Sequence, residues 1–251
     1  MYGRRIVVGV DGSVGSALAV SWAADECRLR GTVLLIAHCP DIYDARAAAQ
    51  FGEAGLRSID RRAEHVLATF SHAASCRQPT VPVSSLISHS DAPNALVDLS
   101  AGSDLVVLGS HGHGLPEHSA GRLVVAQAHC PVLVVPNTTR LDPSSMVPSV
   151  VHVRTKDAED QCAGQFAEHE AQMRGVPLHT ARWDEPDLHQ QLGALFVVGR
   201  RPTDDRWSAR LSPAATQLLT RMPGPVVVVA DTLVAATEQG PLALSTSHPP
   251  R

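Results

Sequence analysis

Lysine is almost absent from this 251-residue chain: of its 21 basic residues, Lys156 alone is lysine. A P-loop nucleotide site needs a lysine directly after its glycine loop, so that class is excluded. There is no polybasic arm either. The 21 basic residues face 25 acidic ones and the formal charge is −4, which leaves a nucleic-acid backbone no electrostatic footing. Long apolar runs are missing too: Ile6 to Val8, Leu105 to Leu108 and Val226 to Val229 are far shorter than the roughly 20 residues of a membrane span. Arg4-Arg5 ahead of Ile6 to Val10 imitates a secretory leader, but Asp11 cuts the apolar run and no cleavage-like segment follows, so a cytoplasmic location is expected. The five cysteines (Cys27, Cys39, Cys76, Cys130 and Cys162) are odd in number and form no C-x-x-C, which predicts reduced, mostly buried thiols.

What the chain does have is apolar content, 44% of its residues, enough for one large or two modest cores. Arg5 to Asp11 is a continuous β-branched run closed by Asp-Gly-Ser, the pattern of a buried parallel strand. Ser13 or Ser16 can cap a helix over Ala17 to Arg30, and Gly31 stands where such a helix ends. Thr32 to Ala37 reads as a strand and Ala45 to Ala74 as a long amphipathic helix. Val81 to Ile87 is a third strand, Asp91-Ala-Pro opens a short helix, and Asp104 to Gly109 is a fourth strand. A helix over Ser119 to Ala128 leads to Pro131-Val-Leu-Val-Val-Pro136. Alternating strands and helices with apolar strands predict an open parallel α/β sheet covered on both faces. Ligands bind such sheets beyond the carboxyl ends of the strands, where Asp11 and Gly109 lie.

The strand endings recur. Leu105-Val-Val-Leu-Gly109 matches Leu195-Phe-Val-Val-Gly199, and Pro131-Val-Leu-Val-Val135 matches Pro225-Val-Val-Val-Val229. The second copy is shorter by about one strand and helix pair. It reads as strands at Val150 to Arg154, Pro177 to Trp183, Leu195 to Gly199 and Val226 to Ala230. Between them lie helices at Lys156 to Arg174 (closed by Gly175), Glu185 to Leu192 and Ser212 to Arg221. The division this predicts is one α/β domain over 1–140, a linker over 141–148, a reduced α/β domain over 149–231 and a loose polar tail over 232–251.

Val7-Val-Gly-Val-Asp-Gly-Ser13, Asp104-Leu-Val-Val-Leu-Gly-Ser-His-Gly-His-Gly114 and His129-Cys-Pro-Val-Leu-Val-Val135 resemble the universal stress protein family in its tandem two-domain actinobacterial form. The resemblance implies flavodoxin- or Rossmann-like parallel sheets, cytoplasmic location and a role in stress response. It also implies dimers or pseudo-dimers and, in one branch, ATP binding. That branch carries glycine, two residues, glycine, nine residues, then glycine and serine or threonine. Gly109-Ser-His-Gly112 supplies the first part, where glycines and a following helix N-terminus favour phosphate. The second part departs: with nine residues intervening after Gly112 stands Arg122 where the family has glycine, and Gly121 is one position early. Counted back from Pro131, the family's serine falls on Ser119 with His118 in the glycine's place, and the loop is four residues short.

The resemblance assigns nucleotide contacts to Val10, Asp11, Gly12, Ser13, Ala37, Leu108, Gly109, His111, Gly112 and Ser119. The ligand is ATP or another adenine nucleotide, magnesium entering only with it. Each assignment has a plainer counterpart. Asp11 is a ribose or metal-phosphate contact or else a turn-former; the glycines cradle phosphate or simply make a tight turn; Ser119 faces phosphate or caps a helix. His111, His113 and His118 are a zinc cluster or solvated loop residues, and Ser110 lacks the motif of a hydrolase nucleophile. Arg200-Arg201 replaces the glycine turn of the second copy, so no nucleotide is expected there, though the pair offers charge to an acidic partner. No catalytic or metal residue is assigned. The two Pro-Val strands are edges that can pair with each other, making the chain its own pseudo-dimer. The leading reading is therefore a non-catalytic stress regulator with a degenerate adenine-nucleotide site. The alternative is an interaction module without nucleotide, acting on an unidentified protein partner through its sheet edges.

Overall fold

The computed structural model describes residues 5–40, 50–110, 119–137, 147–155, 160–185, 188, 193–200, 211–221 and 224–230. Nine strands form one sheet: β1 (Arg5–Val10), β2 (Val33–His38), β3 (Val83–Ile87), β4 (Leu105–Gly109), β5 (Val132–Val135), β6 (Val150–Arg154), β7 (Leu178–Arg182), β8 (Leu195–Arg200) and β9 (Val226–Ala230). The helices are α1 (Val14–Arg30), α2 (Gly52–Arg77), α3 (Ala92–Ser100), α4 (Ala120–Gln127), α5 (Asp160–Arg174) and α6 (Pro213–Arg221). The strand order is β3-β2-β1-β4-β5-β9-β8-β6-β7.

Strand chemistry accounts for the layering. Ile6, Val8, Leu105 and Val107 pack beneath α1, while Val7, Val106 and Leu108 face α3 and α4, so both sides of each central strand are buried. Residues of α1, α2 and α5 fill one core layer and those of α3, α4 and α6 the other. Local signals set the helix limits. Ser13 caps α1 by accepting from the Ser16 backbone N–H, and Gly31 closes it at φ 62°. Asp91 and Ser119 cap α3 and α4, and the Ser212 hydroxyl accepts from Ala215 N–H at the start of α6. The long helix expected over Ala45 to Ala74 runs instead from Gly52 to Arg77; residues 41–49 are outside the described set. Of the helix expected over Glu185 to Leu192, only Glu185 and Leu188 are described, and the tail after 230 is likewise outside.

All neighbouring strands are parallel except β5 and β9, which run antiparallel with Leu133 opposite Val227. These are the two Pro-Val strands of the sequence, and each is wholly buried. From that junction outward, β9-β8-β6-β7 repeats the order β5-β4-β1-β2, with no second counterpart of β3 among the described residues.

Arginines bridge the junction on both faces. Arg122 of α4 donates to the Thr216 carbonyl (3.3 Å) and to the Thr220 hydroxyl (2.8 Å) of α6, while Arg200 of β8 donates to the Val125 carbonyl of α4 (3.2 Å). On the opposite face Glu26 and Arg30 of α1 pair with Glu170 and Arg174 of α5. The expectation of mostly buried thiols holds for Cys27 and Cys130, is half met by Cys39 and Cys162, and fails for exposed Cys76, which sits at the end of α2 on its solvent side. Burial pushes the Cys27 and Cys130 thiols up to about 12.

Candidate functional site

Strand order reverses between β1 and β4, because the chain leaves β1 toward β2 on one side and returns to β4 on the other. A crevice opens there beyond the carboxyl ends of the strands. The turn after β1 is its floor. Asp11 Oδ1 accepts from the Ser13 backbone N–H (2.9 Å) and from the Ser16 hydroxyl (2.6 Å), and the Ser16 oxygen accepts from Asp11 N–H (3.0 Å). Gly12 sits in this turn at φ 89°, a conformation that favours glycine.

Two adjoining cavities share Asp11, Cys39 and Ala92 as walls. The smaller, about 140 Å³, is bounded by Val10, Asp11, Ser13, Ala37, Leu108, Gly109 and Ser119. The larger, about 600 Å³, reaches past His38 and Asp91 to the α2 side chains Ile59, Arg62 and Val66. His38 donates from Nδ1 to the Val10 carbonyl (2.7 Å), which fixes its ring beside the end of β1. Apolar walls with a few convergent polar groups suit a small organic ligand with a polar rim. Burial holds the Cys39 thiol above its ordinary range.

Seven of the ten residues assigned from the sequence thus bound one cavity, and Gly12 shapes the turn beside it. His111 and Gly112 lie outside the described residues, as do His113 and His118. Among the described residues no cluster of three or more histidine, cysteine, aspartate or glutamate side chains suits a metal. Ser110 is 2% exposed and its hydroxyl accepts from Asn137 N–H (2.9 Å), the opposite of a presented nucleophile. Arg200 carries its charge into the α4 contact, where burial lowers its pKa, so it is not displayed to an acidic partner; Arg201 is outside the described residues.

Plain structural duties occupy several of the same residues. A Cβ on Gly109 would stand 2.3 Å from the Gly15 carbonyl oxygen, so glycine is required there by the close approach of β4 to α1. Ser119 caps α4 through the Arg122 N–H. Arg122, in the place of the ATP motif's later glycine, reaches α6, where it donates to Thr216 and Thr220. Composition and motif reading missed His38, Arg62 and Asp91 at the larger cavity. The Asp91-Ala-Pro helix start was the available signal, since it places that cap on the same sheet edge.

The family model of the universal stress protein family matches residues 3–136, more than half of the chain. A universal stress protein of Mycobacterium tuberculosis is 32% identical over 133 residues, which cover 51% of this chain and 44% of the relative. A second from that organism is 28% identical over 188 residues, covering 70% of this chain and 63% of its own. The chain therefore spans about half to two thirds of the length of these curated relatives. A universal stress protein structure from Archaeoglobus fulgidus superposes over 90% of this chain and 98% of its own at TM-score 0.72 and 12% identity, a likeness of fold. One universal stress protein solved in complex with cAMP aligns with 54% of this chain at 25% identity and TM-score 0.40. No helix among the described residues is long and apolar enough to cross a membrane. The first-strand turn, the glycine at the end of β4 and the family match over both establish that this chain belongs to the universal stress protein family.

Proposed function

We propose that the chain is a non-catalytic, cytoplasmic stress-response regulator that binds one adenine nucleotide in its first half, with the second half serving as a built-in pairing partner. One observation carries the reading. Val10, Asp11, Ser13, Ala37, Leu108, Gly109 and Ser119 come from β1, the turn after it, β2, β4 and the cap of α4, yet they bound a single crevice at the switch in strand order. ATP is the first candidate ligand, magnesium entering with its phosphates, and Asp11 stands where a ribose hydroxyl or a phosphate-bound cation is met. The domain division at 140 and 149, and the description as a tandem pseudo-dimer, belong to this reading. The antiparallel β5–β9 pair supports both.

A second reading, an interaction module without nucleotide, is favoured by the structural duties of Gly109 and Ser119. Its partner surface changes, because β5 and β9 cover each other and Arg200 is engaged. Among the described residues, the strands at the two ends of the sheet are β3 and β7. Calorimetric titration with Mg-ATP separates the two readings. The first predicts saturation at one site per chain, with affinity reduced about tenfold or more in Asp11→Asn, a change that keeps the turn's acceptor oxygen and removes the charge. Absence of binding by folded, ligand-free protein contradicts it and supports the second.

A further inference from the structure

Two buried carboxylates and two partly buried arginines close a ring across the junction between the halves. Glu26 and Arg30 lie four residues apart on α1, and Glu170 and Arg174 four apart on α5. Arg30 contacts Glu26 at 3.0 Å and also Glu170, while Arg174 contacts both Glu170 and Glu26. Glu170 is 0% and Glu26 3% exposed. In each half the pair sits on the helix that follows the first strand, just before the glycine that ends it, Gly31 or Gly175. The cross-junction contacts are thus one contact made twice, Glu26 with Arg174 and Glu170 with Arg30. That is the signature of an isologous interface.

The strand junction lacks such selectivity. β5 reads Val-Leu-Val-Val and β9 Val-Val-Val-Val-Ala, so a slide of two residues keeps every side chain apolar and on its own face. The ring does not tolerate the slide. Moving α5 along α1 brings guanidinium toward guanidinium and leaves the buried carboxylates of Glu26 and Glu170 without partners. Buried ion pairs add little net stability over apolar packing, but a mismatched one is severely penalised, so what they supply is specificity.

We propose that this ring is the pairing code of the two halves: the α1 and β5 surface fits a half-chain that presents Glu-x-x-x-Arg in matching register, which is its own second half and equally the second half of another copy of this chain. Linkage makes the intrachain partner the default through effective concentration. When the intrachain match is spoiled, a second copy with the complementary charges takes its place.

Full-length charge reversals test this. Glu26→Arg/Arg30→Glu reverses α1 alone, Glu170→Arg/Arg174→Glu reverses α5 alone, and the four-site variant reverses both. Each two-site variant is expected to lose stability, and the four-site variant to recover most of it. Co-expression of the two two-site variants is expected to give a heterodimer of twice the chain mass in native mass spectrometry, because each reversed helix finds its match only on the other chain. A four-site variant no more stable than the two-site ones, or a co-expressed pair that does not associate, overturns the proposal. Should the reversals fail to fold, a double-mutant cycle of Glu26→Gln and Arg174→Gln decides. Coupling of about tenfold or more in the unfolding constant is expected, and additive effects overturn the proposal.

Discussion

Gly109 shows how one residue can answer to two demands. A nucleotide motif wants glycine there so that backbone can approach phosphate, and packing wants it because α1 begins against the end of β4. With the Gly15 oxygen 2.3 Å from the place of a Cβ, the packing demand stands without any ligand. Gly109→Ala is therefore expected to destabilise the nucleotide-free protein by about 1–3 kcal/mol, the range of overpacking changes, as a lower thermal midpoint. An unchanged midpoint contradicts that account of the glycine. Arg122 was legible in the sequence only as a departure from the motif. Its duty, bonds to Thr216 and Thr220 of α6, joins residues 94 and 98 positions apart, and no local pattern announces such a contact. Asp11 and Ser13 were legible because the turn that uses them is local, its hydrogen bonds to Ser13 and Ser16 spanning no more than five positions.

At the scale of elements, α1 connects the two features that matter. Its N-terminus builds the Asp11 turn and its last turn holds Glu26 and Arg30 in the ring. The strands were legible because continuous Val, Ile and Leu runs are buried on both faces, and the helix ends because Ser13, Gly31, Asp91 and Gly175 carry cap chemistry. The start of α2 was less legible, as an alanine-rich approach has helical propensity without a stop signal. Pairing of β5 with β9 followed from the repeated Pro-Val strands, whereas the charge ring, whose partners stand 140 and 148 positions apart, did not. Leu133→Pro is expected to cost at least about 2 kcal/mol, since proline gives no ladder donor and leaves buried backbone groups unpaired at the junction. Denaturant unfolding measures this, and native stability in the variant contradicts the junction's place in the fold.

The described strands form one continuous nine-stranded sheet in which the two halves meet edge to edge, so neither half exposes its Pro-Val strand. The halves are unequal in chemistry. The first has the Asp-Gly-Ser turn and the crevice at its switch point; the second ends β6 in Arg154, followed by Thr155, and ends β8 in an arginine bound to α4. The proposed division of labour is one half that binds and one that supports. Hydrogen exchange with and without Mg-ATP, followed peptide by peptide, tests it most directly. New protection is expected in the turn after β1, at the end of β4 and at the start of α4, with the ends of β6 and β8 unchanged. Protection confined to the second half, or none in either half at saturating nucleotide, would contradict it.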